Sequence, residues 1–333
     1  MDKSTIRDVA SMAKVSVATV SRILNGQTGY GEDTRIRVQE AIEKLRYTPN
    51  ALARGLQGSS LKTIGVLMPE VTSAFASLLL QGIESEAQSR GFSVIVCNTE
   101  SNGRRSLEYL RVLSEKRVDG LIFVSENLTD ECGAALEALR LPVVLAATRS
   151  IRFPFPYAKV DDKLAAYHAV KYLIERGHKE IGLISGSPSD LIAGAPRIEG
   201  WREALRDHGL RPDDGLVEYG DFHFHSGFAA ASRLIPARPS MTAIFATSDE
   251  MALGVLSYAF KAGIKIPDDL SVVGYDDAIA AEMAIPPLTT VHQPIGEIGK
   301  DAASLLFDNA PRATSKTLPF RIVERDSVRN LHA

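Results

Sequence analysis

Residues 15–25 read Val15-Ser16-Val17-Ala18-Thr19-Val20-Ser21-Arg22-Ile23-Leu24-Asn25. Ser16 is placed to cap a helix whose Val20, Ile23 and Leu24 share one apolar face. The other face carries Val17, Ala18, Ser21, Arg22 and Asn25, which are small or hydrogen-bonding side chains. Upstream, Thr5 followed three residues on by Asp8 has the form of a capping box, and Ile6, Val9, Ala10 and Ala13 recur at the spacing of one helical face. Downstream, Asp33 or Thr34 begins a helix with Val38, Ala41, Ile42 and Leu45 as its buried stripe. The pattern predicts three helices around one small core. Two short helices joined by a tight turn, the second with such an outward face, are either a helix-turn-helix reader of the major groove or a small helical packing module. Residues 47–56 spell a further short helix with Pro49 near its first turn, but Gly55 costs it roughly 1 kcal/mol and so short a helix is marginal alone.

The whole chain has 333 residues and a net charge of -3, which by itself argues against a polyanionic partner. Residues 1–60, however, hold nine Lys and Arg against six Asp and Glu, and the rest hold 29 against 35. The chain is therefore a small basic head on a large acidic body. A content of 45% hydrophobic and 24% charged residues, at about twice the length of a typical domain, predicts a soluble chain of two or more domains. With no apolar run long enough for a bilayer and no signal-peptide core behind the first charges, the expected compartment is the cytoplasm. Cys97 and Cys132 are too few for a disulfide framework or a thiolate metal cluster and suit reduced thiols.

From Lys62 onward, short β-branched runs alternate with helical stretches, the signature of βαβ units on parallel sheets. Candidate strands are 63–68, 93–97, 120–124, 142–146, 181–185, 243–246 and 271–275. So many strands predict an α/β body of two doubly wound lobes. The breaker cluster Arg152-Phe153-Pro154-Phe155-Pro156 suggests a boundary nearby.

Thr5-Ile6-x-Asp8-Val9-Ala10, Val15-Ser16-x-Ala18-Thr19-Val20-Ser21-Arg22-x-Leu24-Asn25 and Tyr47-x-Pro49-Asn50-x-x-Ala53-Arg54-x-Leu56 resemble the DNA-binding head of the LacI/GalR family of transcriptional regulators. The resemblance continues through Val118-Asp119-Gly120, Arg176-Gly177-His178, Thr247-Ser248-Asp249-Glu250, Val273-Gly274-Tyr275-Asp276-Asp277 and Pro287-Leu288-Thr289-Thr290, so it covers essentially the whole chain. It implies a helix-turn-helix head over 1–48, a hinge helix and linker over 49–61, and a two-lobe periplasmic-binding-protein-like body over 62–333. The amino-side lobe would comprise 62–160 and 292–320, and the carboxy-side lobe 161–291 and 321–333.

In the head, the resemblance implies that Arg22 pairs with guanine and that Val17 and Ala18 discriminate bases. Thr5, Ser16, Thr19, Ser21, Asn25, Thr34, Tyr47 and Asn50 would position the DNA backbone, and the hinge containing Ala53 would insert Leu56 between central base pairs. Lys14 departs from the pattern, since many relatives have Gly at that turn. The implied partner is a pseudopalindromic double-stranded operator read by a homodimer. In the body, Asp276 and Arg197 match ligand-contact positions, as do Asp162, Ser248 and Asp249; Asp249 could equally cap the helix after it. Phe75 and Phe222 stand where relatives stack an aromatic ring on ligand, or are core. The expected effector is a small molecule, such as a sugar, and the expected role is repression of sugar and carbon metabolism genes.

Within the family the closest resemblance is to the catabolite-control branch, which takes a phosphorylated carrier protein as corepressor. Ser77-Leu78-Leu79-Leu80-Gln81 and Ser304 replace the polar and charged groups of that docking surface, so the small-molecule reading is preferred. The segment from Leu78 to Ile83 is apolar on more than one face, suiting core burial or subunit contact. His223 and His225 could share a strand face, but no further ligands at metal spacing accompany them. Trp201 reads as core. Nucleotide-binding, nucleophile-elbow and dinucleotide motifs are all missing, so no enzyme and no cofactor are expected. A transport solute-binding protein, the alternative of another class, would have a secretory signal and no basic head. The tail after Phe320 lacks a leucine heptad, which favours a dimer over a tetramer.

Overall fold

The computed structural model describes residues 4–24, 28–47, 60–100, 105–125, 127–309, 311 and 314–332. The chain forms two compact units, Met1–Leu61 and Lys62–Ala333. In the first, α1 (Ile6–Ala13), α2 (Val17–Leu24) and α3 (Glu32–Leu45) pack around Val9, Ala10, Ala13, Val20, Val38 and Ala41. The capping box is present: the Asp8 amide donates to the Thr5 hydroxyl at 3.4 Å, and the Thr5 amide donates to the Asp8 carboxylate at 2.7 Å. Lys14 ends α1 in the left-handed region at φ 54°, where a side chain is strained by about 1 kcal/mol relative to glycine. α3 starts earlier than Asp33, at Glu32, with Gly31 at its cap. Gly31 offers no side-chain acceptor, and the carboxylates of Glu32 and Asp33 instead face the positive end of the helix dipole.

The second unit begins with β1 (Thr63–Met68), α4 (Ala74–Ser89), β2 (Ser93–Asn98), α5 (Ser106–Glu115), β3 (Gly120–Val124), α6 (Asp130–Ala138), β4 (Val143–Ala146) and β5 (Tyr157–Val160). It continues through α7 (Asp162–Ile174), β6 (Ile181–Ser185), α8 (Gly194–Asp207), β7 (Val217–Tyr219), α9 (Phe224–Ala237), β8 (Ala243–Ala246), α10 (Asp249–Ala262), β9 (Ser271–Asp276), α11 (Ile279–Met283) and β10 (Thr289–His292). It closes with α12 (Ile295–Phe307), β11 (Lys316–Leu318) and β12 (Arg321–Val323). The strands form two sheets, ordered β11-β5-β4-β3-β1-β2 and β12-β10-β9-β8-β6-β7. All neighbours are parallel except β12, which runs antiparallel to β10.

The inner strands β3, β4, β6 and β8 are buried along their whole length. Helices cover both faces of each sheet, which is why these strands read as unbroken apolar runs. In each sheet the strand order reverses beside its first strand, between β1 and β3 and between β6 and β8. Clefts at such reversals, beyond the carboxyl ends of the strands, are where α/β sheets take ligands. The chain passes between the sheets after β5, after β10 and between β11 and β12.

One sequence expectation, the strand face for the histidine pair, is corrected, and the boundary near the breaker cluster is found. The breaker cluster 152–156 itself joins β4 to β5 within the first sheet, and the boundary it signals nearby follows after Val160, where the chain passes to the second sheet. Pro154 and Pro156 have no amide to donate, although the Pro156 carbonyl accepts from the Leu145 amide at 2.9 Å, and Phe153 and Phe155 bury against the first sheet's core. His223 and His225 share no strand: His223 caps α9 and His225 lies inside it. There the Ser226 hydroxyl donates to the His223 carbonyl and accepts from the Asp221 amide, turning the chain into a helix. Along α4, Leu79 and Ile83 are core and Leu78 is partly exposed. Trp201 is fully buried, its Nε1 donating to the Ile181 carbonyl at 3.1 Å.

α4 and α12 meet through glycines. A Cβ at Gly299 would stand 2.1 Å from the Leu79 carbonyl oxygen, and one at Gly82 would stand 2.0 Å from that of Gly296. Gly299→Ala is expected to force the helices apart and to cost about 1–3 kcal/mol, read as a lower urea midpoint of the full chain. An unchanged midpoint contradicts this close approach.

Candidate functional site

The first candidate surface is α2. Val20 anchors it in the core, and Ser16, Val17, Ala18 and Arg22 stand in solvent, with Thr19 and Ser21 half-buried. The Ser16 hydroxyl accepts from the Thr19 amide at 3.1 Å and lies 2.9 Å from the Thr19 hydroxyl, fixing the start of the helix. One short helix thus presents two small apolar groups, a guanidinium and hydroxyls. That set suits thymine methyls, a guanine edge and phosphate oxygens respectively. Thr5 is exposed with its hydroxyl donating to Asp8, and Thr34 and Tyr47 are half-buried. Asn25, Asn50, Ala53 and Leu56 lie outside the described residues.

The second candidate is a cleft of about 530 Å³ at the carboxyl ends of both sheets' strands. Phe75, Asp162, Arg197, Phe222, Ser248, Asp249 and Asp276 all line it, so the fold brings together seven side chains spread over 202 positions of sequence.

Its floor is a buried charge cluster. β5 ends at Val160, Asp161 caps α7 by accepting from the Leu164 amide, and Asp162 is left free to face Lys159 and α8. Asp162 Oδ1 accepts from Arg197 Nε at 3.0 Å and Nη2 at 2.7 Å, and from the Tyr275 hydroxyl at 3.3 Å. Its Oδ2 meets Lys159 Nζ at 2.9 Å. Arg197 also donates through Nη1 to the Thr247 carbonyl at 2.6 Å, and its guanidinium lies 3.7 Å from the centre of the Tyr275 ring. Burial alone would raise the Asp162 pKa, but Arg197 and Lys159 outweigh it and hold the carboxylate below its ordinary range. Burial likewise opposes the Arg197 charge, and the Tyr275, Asp162 and Asp276 oxygens more than compensate.

Asp276 closes β9 at φ 122°, a strained conformation for any residue with a Cβ, of order 1–3 kcal/mol. The next residue, Asp277, is held by Arg325 at 2.6 Å and His292 at 2.9 Å, which fixes the turn. Asp276 Oδ1 accepts from Gln293 Nε2 at 2.6 Å. Burial, opposed by Arg197, pushes its pKa up to about 7, so this carboxyl is poised between acceptor and donor forms near neutrality.

The cap of α10 is Ser248, not Asp249: its hydroxyl accepts from the Met251 amide at 3.1 Å and donates to the Phe222 carbonyl at 2.7 Å. Asp249 is instead nearly fully buried, taking the Ala278 amide at 2.8 Å and the Thr290 hydroxyl at 2.6 Å. Burial and the charge of Asp276 raise its pKa well above the carboxylate range. Phe222 sits at φ 72° with its ring against Gly186 and 5.9 Å from the Arg197 guanidinium, and Phe75 packs on the first sheet's core while lining the cleft.

Sequence reasoning missed Lys159, Tyr275 and Gln293, and gave His223 no part in the cleft. His223 bridges Glu70 at 3.4 Å and Glu250 at 3.3 Å. Lys159 and Asp162 stand three apart at a strand-to-helix passage, a spacing that could have flagged the pair. Tyr275 and Gln293 carry no local signal, because their partners lie 113 and 17 residues away. No group of three His, Cys, Asp or Glu among the described residues is arranged to hold a metal ion, and no helix among them is long and apolar enough to cross a membrane.

Residues 5–50 match the bacterial regulatory proteins of the lacI family, and residues 170–328 match the periplasmic binding protein-like domain. Catabolite control protein A of Priestia megaterium is 39% identical over 329 residues, spanning 98% of this chain and 99% of that protein. The lac repressor dimer bound to operator and the anti-inducer ONPF is 30% identical, with a TM-score of 0.89, over 98% of this chain and 100% of that one. The transcriptional regulator CelR in complex with cellobiose is 32% identical over 97% of this chain and 99% of that one, with a TM-score of 0.74. Head and body together define a DNA-binding transcriptional regulator with a periplasmic-binding-protein-like body. The chain belongs to the lacI family.

Asp162→Asn leaves two buried cations facing one another and is expected to cost about 3–5 kcal/mol. Because the native carboxylate's pKa lies below its ordinary 3.8, the wild-type advantage is full above that value and is lost as pH falls through the native pKa. Denaturant melts should show a constant gap from about pH 5 upward that narrows only below about pH 4. A gap that opens on acidification contradicts the assignment.

Proposed function

We propose that this regulator is a repressor that binds a pseudopalindromic operator as a homodimer and answers to a sugar in its cleft. The observation that carries the reading is the cleft itself, where Asp276 at the end of β9 and Arg197 on α8 line one pocket. A carboxylate and a guanidinium in one pocket accept from and donate to adjacent hydroxyls, with the Phe75 and Phe222 rings as apolar wall. The similarity to CelR with cellobiose supports a sugar, and that to the lac repressor dimer on its operator supports a dimer on DNA.

In the head, Arg22 reads guanine, Val17 and Ala18 select neighbouring bases, and Thr5, Ser16, Thr19, Ser21, Asn25, Thr34, Tyr47 and Asn50 hold the phosphate backbone. Leu56, on the segment with Ala53, is the apolar wedge. In the cleft, Asp162 positions Arg197, and Ser248 and Asp249 hold the strand ends around the ligand. The sugar acts by favouring one arrangement of the two lobes. The targets are genes of sugar and carbon metabolism, and the site of action is the cytoplasm.

The dimer has a candidate surface in the body. Ile279 and Met283, one turn apart on α11, and Ile285 just beyond it are 68%, 74% and 94% exposed. Large apolar groups gathered in solvent mark an interaction site. Ile279→Asp with Ile285→Asp should give a folded monomer by sedimentation. A dimer of unchanged strength would place the interface elsewhere.

Selection of binding sites from random DNA tests the reading, with a two-fold site expected. On that site, Leu56→Ala should lower affinity at least tenfold, about 1.4 kcal/mol, and leave sugar binding intact. Asp276→Ala should leave operator affinity intact and abolish the sugar response. Equal damage to both activities by either variant refutes the modular account.

A further inference from the structure

Among the described residues the cleft is lined by three basic side chains, Lys159, Arg197 and His223, and by seven carboxylic acids, of which buried Asp249, its pKa raised well above the ordinary range, adds little negative charge. Each base is already matched. Arg197 and Lys159 share Asp162, and their second charge is offset in part by Asp276, which lies close enough to shift Arg197. His223 stands between Glu70 and Glu250. Of the remaining acids, Asp190 accepts from the Ile192 and Gly194 amides and Asp221 from the His223 amide, so both are held in the wall by the backbone.

An anionic ligand would have to shed water in a partly apolar cavity, find no uncommitted cation there among the described residues, and approach this surplus of carboxylates. Burying a charge without a partner is heavily penalised, and like charges brought together add to the cost. A hydroxyl suffers neither penalty, because it donates to a carboxylate and accepts from a committed guanidinium's spare N–H.

We propose that the cleft selects by charge, admitting unphosphorylated and amino sugars and rejecting sugar phosphates. The inference rests on the sugar reading above and narrows it. Rejection comes from arranged repulsion in addition to any lack of contacts, a recognised route to specificity. Glu70 and Glu250, partly exposed at the mouth, supply part of the repulsion without belonging to the fold's buried framework.

The test uses the full chain and matched pairs: glucose and glucose 6-phosphate, ribose and ribose 5-phosphate, fructose and fructose 1,6-bisphosphate, with glucosamine and cellobiose added. Thermal shift identifies binders and calorimetry gives affinities. For any sugar that binds, its phosphate should bind at least about 100-fold more weakly. In the double variant Glu70→Gln, Glu250→Gln, that ratio should shrink about tenfold with the sugar's own affinity little changed. A phosphate that binds as tightly as its parent sugar overturns the charge selection and leaves the sugar reading standing. An unchanged ratio in the double variant shows exclusion by size and overturns it as well. If no sugar of either kind binds, the sugar reading fails, and this inference fails with it.

Discussion

One buried carboxylate organises the body. Asp162 sits at the first passage between the sheets, and its two oxygens hold Lys159 from the end of β5 and Arg197 from α8. Through Arg197 the same cluster reaches the Thr247 carbonyl beyond β8 and the Tyr275 ring in β9. A charge so deeply buried is tolerable only with partners of opposite sign and full hydrogen bonding. The requirement fixes the relative positions of five elements at the place where the cleft opens. Asp276, Gln293 and Phe222 are then set around that fixed point.

The same economy separates the two halves of the chain. The head presents α2 by burying one face on a core of six small and β-branched residues. Its excess of basic residues suits phosphate, whereas the acidic body has a cleft whose cations are turned inward onto their own carboxylates. A net charge of -3 therefore describes neither half.

Much of this was legible in the sequence, for reasons that differ by element. The strands of the body were readable because parallel strands buried on both faces are uninterrupted apolar runs, as in Ile181–Ser185 and Ala243–Ala246. The head was readable because its caps are local: Thr5 with Asp8 and Ser16 with Thr19 each span three residues. Family resemblance, and not periodicity, singled out Asp276 and Arg197. What stayed hidden depends on distance or on competition between neighbours. Tyr275 reaches Asp162 across 113 positions, and no local pattern announces such a bond. At Ser248-Asp249 both residues suit a cap, and the distant Thr290 hydroxyl and Ala278 amide, which claim the carboxylate, leave the cap to serine. The Pro-rich stretch 152–156 signalled a boundary nearby, which comes after Val160; that its phenylalanines tie the stretch itself into the first sheet was not legible.

The central claim is that cleft and head are thermodynamically coupled, and linkage supplies its most direct check. Calorimetry of the full chain with its best-binding sugar, in the presence and absence of operator DNA, gives the factor by which DNA changes sugar affinity. That factor should equal the one by which saturating sugar changes operator affinity, and should lie in the range of about 5–150-fold. Identical sugar affinity with and without operator would contradict the account.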